Sequence, residues 1–136
     1  MPSIRLLNRQ RKKRIDLQRL RIFTARALSA VLAEPRPAEP PGEISVIFVS
    51  DPRIAEIHRQ YMSIDGPTDV ITFHHGDIFI SVETAERQAR EFGTSQEHEL
   101  LLYIVHGLLH LCGLEDASEQ GFQEMRKVQE KIMART

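Results

Sequence analysis

The chain has one cysteine, Cys112. A lone thiol closes no intrachain disulfide, so a reducing compartment is the natural setting and the core must hold the fold unaided. No apolar run approaches the length of a membrane-crossing helix, about 18 residues. The first residues, MPSIRLLNRQRKKR, contain no apolar segment of signal-peptide length, so a cytoplasmic rather than secreted protein is expected. Internal repeats and long low-complexity tracts are missing too, and the proline-rich Pro35–Pro41 is only a surface connector. Residues 1–136 therefore read as one domain. Net charge is nearly absent, at −1, but the balance is not local. Residues 1–26 carry nine Lys or Arg against one acid, Asp16, whereas residues 27–136 carry nine against 18 acids. The basic run Arg9, Arg11, Lys12, Lys13, Arg14 suits a phosphate backbone or a solvated surface equally, and it lacks the interleaved aromatics of a base-stacking platform.

What is present is 41% hydrophobic and 27% charged, ordinary for a soluble globular fold. Ser3–Asn8 reads as a first strand. Asp16 caps a helix whose apolar positions, Leu17, Leu20, Phe23, Ala27, Leu28, Val31 and Leu32, recur at helical spacing until Pro35. Glu43–Val49 is β-branched and reads as a strand. Asp51-Pro52 opens a helix with Asp51 as cap, turning Ile54, Ile57 and Tyr61 inward. Thr68–His74 and Asp77–Val82 form a hairpin across His75-Gly76, and a polar helix follows from Thr84 to Phe92. Thr94 with Glu97 makes a capping box for a helix ending at Gly113. Ser118 caps a last helix that buries Phe122, Met125, Val128 and Ile132. The class is α+β: a small four-stranded mixed sheet covered by about five helices.

The helix Leu100–Cys112, LLLYIVHGLLHLC, is apolar almost all round and so should be central and buried. His106 and His110 are four residues apart. That spacing sets them on one face, about 40° apart in projection, close enough to grip one metal ion. Gly113 then breaks the helix, and Glu115 and Asp116 follow, so an oxygen ligand can return from beyond the turn. Two histidines plus one such ligand leave a fourth position open, the layout of a catalytic zinc site. Gly107 stands where a zinc peptidase of the HExxH kind has its general-base glutamate, which argues against a peptidase. Glycine inside a helix costs about 1 kcal/mol relative to alanine, so close packing should accompany it.

His106-Gly-Leu-Leu-His110-Leu-Cys-Gly113 resembles the HGxLHLxG signature of the YbeY family of metal-dependent endoribonucleases, which act in ribosomal RNA maturation. Tyr61–Phe73, YMSIDGPTDVITF, resembles that family's tyrosine–arginine pair followed by its D-x-PTDVLSF-like strand, and Gly76-Asp77-Ile78 with Ile80-Ser81 resembles its next strand. The likeness spans roughly residues 43–133, with motif order and separation kept. It implies a single α+β domain, one zinc ion held by three histidines, and hydrolysis of single-stranded RNA. Two ligand positions match, His106 and His110. At the third the family has histidine and this chain has Asp116, which places Asp116 in the ligand set with Glu115 as second choice. Met62 stands at the family's arginine, and Arg59, three residues earlier on the same helix face, is the candidate catalytic replacement. His75, beside its glycine turn, is a candidate for the cleft wall, whereas His58, His74 and His98 read as surface or turn residues.

The implied partners are single-stranded RNA, foremost precursor ribosomal RNA, held along its backbone by the basic N-terminal part, and the small ribosomal subunit or its assembly factors. The competing expectation is a weakened, metal-binding assembly factor that holds RNA without efficient cleavage.

Overall fold

A computed structural model describes residues 1–136. The strands are β1 (Ser3–Asn8), β2 (Glu43–Val49), β3 (Val70–Thr72) and β4 (Asp77–Ser81). The helices are α1 (Leu17–Leu32), α2 (Asp51–Met62), α3 (Val82–Phe92), α4 (Gln96–Leu111) and α5 (Glu119–Arg135). The sheet order is β1-β2-β4-β3, with β1, β2 and β4 parallel and β3 antiparallel at the edge. The sheet is therefore mixed, as the hairpin and the two helical crossovers require.

Strand alternation divides the core. Leu6, Val46, Phe48, Ile78 and Ile80 face one way, into the large cluster with α1, α4 and α5. Val49 and Ile71 face the other way, where Ile54 and Ile57 of α2 cover them. Helix α4 packs against α1, α3, α5, β3 and β4, which is why its sequence is apolar all round.

Local chemistry shifts several expected boundaries. Asp16 does cap α1, accepting from the Arg19 N–H at 3.1 Å, and Ser118 caps α5, accepting from Gly121. The α4 cap is Ser95, not Thr94, since the Ser95 hydroxyl accepts from the His98 N–H at 3.0 Å while Thr94 donates to buried Glu99. Asp51 is the first residue of α2 rather than its cap. Its carboxylate reaches the start of α3 and accepts from Ser81 (2.6 Å), Thr84 (2.8 Å) and Arg87 (2.5 Å), while Glu83 accepts the Asp51 N–H at 2.9 Å. Glu83 thus caps the start of α2, while α3 is capped by Ser81, whose hydroxyl accepts the Thr84 N–H and donates to Asp51. β3 is shorter than the expected Thr68–His74: before it the Asp69 carboxylate takes the Val70 N–H at 2.7 Å, and after it Phe73 enters the turn, its carbonyl accepting the Gly76 N–H at 2.9 Å. Tyr61, expected inside, is 62% exposed, and Phe122 is 48% exposed. In the first turn of α5 it is Gly121 that faces the loop: a Cβ there would lie 2.5 Å from the Glu115 carbonyl oxygen, so Phe122 points away.

Candidate metal centre

His106 and His110 lie on the last two turns of α4, where it meets β3, α5 and the turn that follows. Gly113 makes that turn in the left-handed region, φ +91°, which a side chain rarely adopts, and a Cβ there would crowd Pro37 and Ala38 at 3.1–3.2 Å. The chain then doubles back, so that the Leu114 carbonyl oxygen lies 3.0 Å from His110 Nδ1. A carbonyl only accepts, so His110 carries its hydrogen on Nδ1 and its Nε2 is a bare lone pair. On the opposite side, Gln129 of α5 offers its amide oxygen to His106 Nδ1 at 2.9 Å, which fixes the same tautomer.

Both Nε2 atoms therefore point at one spot, 3.0 Å apart, with the rings nearly perpendicular at 81°. Asp116 closes the group: one carboxylate oxygen is 3.4 Å from His106 Nε2, the other 3.6 Å from His110 Nε2. Four tetrahedral bonds of about 2.0–2.1 Å would set ligand atoms about 3.3 Å apart. The spacing here brackets that value. Three acceptors converge with no hydrogen between them, and a cation resolves the repulsion. Burial, then neighbouring His106, lower the His110 pKa, against an opposing pull from Asp116. The donor set of two imidazoles and one carboxylate fits a divalent transition metal.

The site opens into a cavity of about 220 Å³ whose wall includes Met62, Thr72, His74, His106, His110 and Glu115. Glu115 faces the cavity but lies outside the ligand cluster. The structure brings His106, His110 and Asp116 together; it does not bring Arg59 to them. Arg59 is exposed on α2 and absent from the cavity wall, where Met62 stands. The histidines of the turn also exchange expectations: His74 lines the metal cavity, and His75 opens on the other side of the sheet edge. The basic N-terminal run is also displaced from the cleft. It follows β1, at the opposite edge from β3, and Arg9, Arg11 and Lys12 border a separate polar hollow with Ser50.

Gln129 escaped the sequence reading, though a signal was there. It sits four residues after Met125 and three before Ile132, on the buried stripe of α5, where a polar side chain needs a partner.

Comparison with known proteins shows the family and the fold. The profile of the family described as Endoribonuclease YbeY matches residues 5–136. A curated Endoribonuclease YbeY of Pelotomaculum thermopropionicum is 34% identical over 143 aligned positions, covering 94% of this chain and 93% of that one. Its counterpart in Bacteroides thetaiotaomicron is 41% identical over 100 positions, covering 68% and 73%. A solution structure of a Thermotoga maritima protein superimposes with a TM-score of 0.65 at 30% identity, over 97% of this chain and 90% of the other.

Proposed function

The chain belongs to the Endoribonuclease YbeY family, and from that premise we propose that it is a metal-dependent endoribonuclease of single-stranded RNA, acting in ribosomal RNA maturation. His106, His110 and Asp116 would hold one zinc ion. The observation that carries this reading is the convergence of two hydrogen-free Nε2 atoms and a carboxylate, each imidazole pinned from behind by an acceptor.

A bound zinc ion supplies a water that ionises near neutral pH and polarisation of a phosphoryl oxygen. Everything else falls to side chains. Gln129 and the Leu114 carbonyl hold the imidazoles in one tautomer, so the site needs no rearrangement as charge develops. Asp116 would bring to the ligand set a negative charge that a third neutral imidazole would not. Glu115, the free carboxylate on the cavity wall, is the group we assign to take and hold a proton. Arg59, one turn before Met62, is assigned to the RNA backbone outside the cavity.

Precursor ribosomal RNA in the cytoplasm, with the small subunit or its assembly factors as partners, is the proposed setting. One observation favours a second reading. No lysine or arginine lines the cavity, since Met62 occupies that wall, so charge on the phosphoryl oxygens finds no guanidinium there. An assembly factor that binds metal and RNA but turns over poorly would look the same.

His110→Ala is the decisive variant, with His98→Ala, exposed near the start of α4, as control. Bound zinc per chain and cleavage of single-stranded RNA should both collapse in the first and persist in the second. Parental cleavage by His110→Ala would remove the metal from the reaction; metal binding without cleavage in the parent would select the assembly factor.

A further inference from the structure

The face of the sheet opposite α4 holds a second groove, between α2 and the β3–β4 hairpin. Its volume is about 310 Å³, and Arg53, Ile57, Tyr61, Phe73, His75 and Phe79 line it, together with Asp77. The rings form a connected set around Phe73. Its centroid is 5.2 Å from Tyr61, edge-on at 76°; 5.7 Å from His75, stacked at 15°; and 5.9 Å from Phe79, edge-on at 90°. Tyr61 is 62% exposed, Met62 44% and Ile64 50%, so the end of α2 presents apolar surface that no part of this chain covers.

Two features of the page say what belongs there. The first is continuity with the metal cavity. Met62 and His74 line the metal cavity, while their chain neighbours Tyr61 and Phe73 line the groove. At two places, then, residues adjacent in the chain line the two spaces, one on each side of the β3 edge, so a strand crossing that edge would meet both. The second is the charge pattern. The groove's carboxylate, Asp77, rules out a phosphate inside it, and is itself held by His75 Nε2 at 2.9 Å. Arg53, more than half exposed at the groove mouth, is paired only loosely with Glu56 at 3.7 Å and so remains available to a phosphate outside. Aromatic faces within and a cation at the mouth match a nucleotide whose base is inserted and whose backbone stays in solvent.

We propose that this groove is a nucleobase subsite, in which a base next to the scissile phosphate stacks on Tyr61 within the Phe73–His75–Phe79 ring cluster. The proposal rests on the metal cavity being where RNA is cut. It also gives the protein the stacking platform that the basic N-terminal run lacks.

The test is binding of a fluorescein-labelled 2′-O-methyl RNA single strand by the zinc-loaded protein, read by anisotropy, with a gel showing the strand intact. Tyr61→Ala should weaken binding roughly 5- to 150-fold, the range for losing one stacked base. Tyr61→Phe should stay within about twofold, since it keeps the ring. The slope of log affinity against log salt should match the parent in both, because a neutral ring displaces no counterion. With the unmodified protein, 2-aminopurine beside the cleaved position should be quenched on binding, a readout that does not depend on the variants folding. Unchanged affinity in Tyr61→Ala, equal loss in Tyr61→Phe, an unquenched probe, or Tyr61-dependent self-association in sedimentation would each overturn the proposal. Cleavage is scored separately. If the parent binds through Tyr61 yet does not cut RNA, the nuclease reading fails and the subsite stands; if the parent cuts and Tyr61→Ala binds normally, only the subsite fails.

Discussion

Gly107→Ala asks the structure for a number. In an exposed helix interior this change stabilises by about 1 kcal/mol. Here the added Cβ would lie 2.7 Å from Ile78 Cγ2 and 2.9 Å from Ile78 Cδ1. Carbon atoms settle at about 3.5–4.0 Å, so α4 and β4 must part by about 1 Å. Ile78 is fully buried in the central parallel strands, so it has nowhere to turn. Overpacking of this kind costs about 1–3 kcal/mol, which leaves Gly107→Ala between neutral and about 2 kcal/mol less stable than the parent. The larger consequence is geometric. His106 and His110 flank Gly107 on the same helix, and moving that helix while α5 holds Gln129 pulls the imidazoles from their acceptors. Zinc affinity should fall by about 10- to 100-fold, the loss seen when the acceptors behind metal-bound histidines are disturbed. Urea unfolding gives the stability and competition with a chromogenic chelator the affinity. In the Ile78→Ala background the same glycine change should recover about 0.5–3 kcal/mol, the usual coupling of touching core residues. A single variant that gains the full helix-propensity increment and binds zinc like the parent would refute the packing argument.

Gln129→Ala removes the acceptor behind His106 without touching a ligand, so zinc affinity should drop about 10- to 100-fold while the apo fold stays intact; unchanged affinity by the same competition assay would mean that Gln129 is idle. Asp51 governs acid stability. Burial opposes its charge, but donation from Arg87, Ser81 and Thr84 prevails and holds its pKa below the ordinary 3.8. A depressed carboxylate contributes stability that is complete above its unfolded pKa and lost as pH falls through its folded one. Asp51→Asn should therefore destabilise the protein near neutral pH and flatten the acid limb of a stability–pH curve below about pH 4; parallel curves for variant and parent would place the acid sensitivity elsewhere.

How much of this was legible depended on the range of the interaction. Element order came through because each signal is local: the periodicity from Leu17 to Leu32, the β-branched Glu43–Val49, the breaks at Gly113 and Pro35. The His106–His110 pair came through because four residues is one helical turn. The glycine turn at Gly113 left Glu115 and Asp116 both open as the third ligand, and only the resemblance to the family's third histidine position singled out Asp116. Arg59 failed on the same logic: helical spacing assigns it a shared face with Met62, but which part of that face meets the cavity is set by how α2 lies on the sheet. Asp51 was read as a cap because Asp-Pro is a strong local signal, and the partner that redirects it, Arg87, is 36 residues away. The aromatic groove was illegible for the same reason. Tyr61 was placed inside by periodicity alone, and α2 is a helix with one covered stripe and little beyond it, so a ring just off that stripe emerges into solvent. Its neighbours Phe73 and Phe79 come from two other elements, and only the hairpin joins them. The candidate metal ligands lie within eleven residues, His106 to Asp116, whereas the rings that would hold the substrate are brought together by the sheet. A reading from spacing therefore finds the proposed metal ligands before it finds the proposed base subsite.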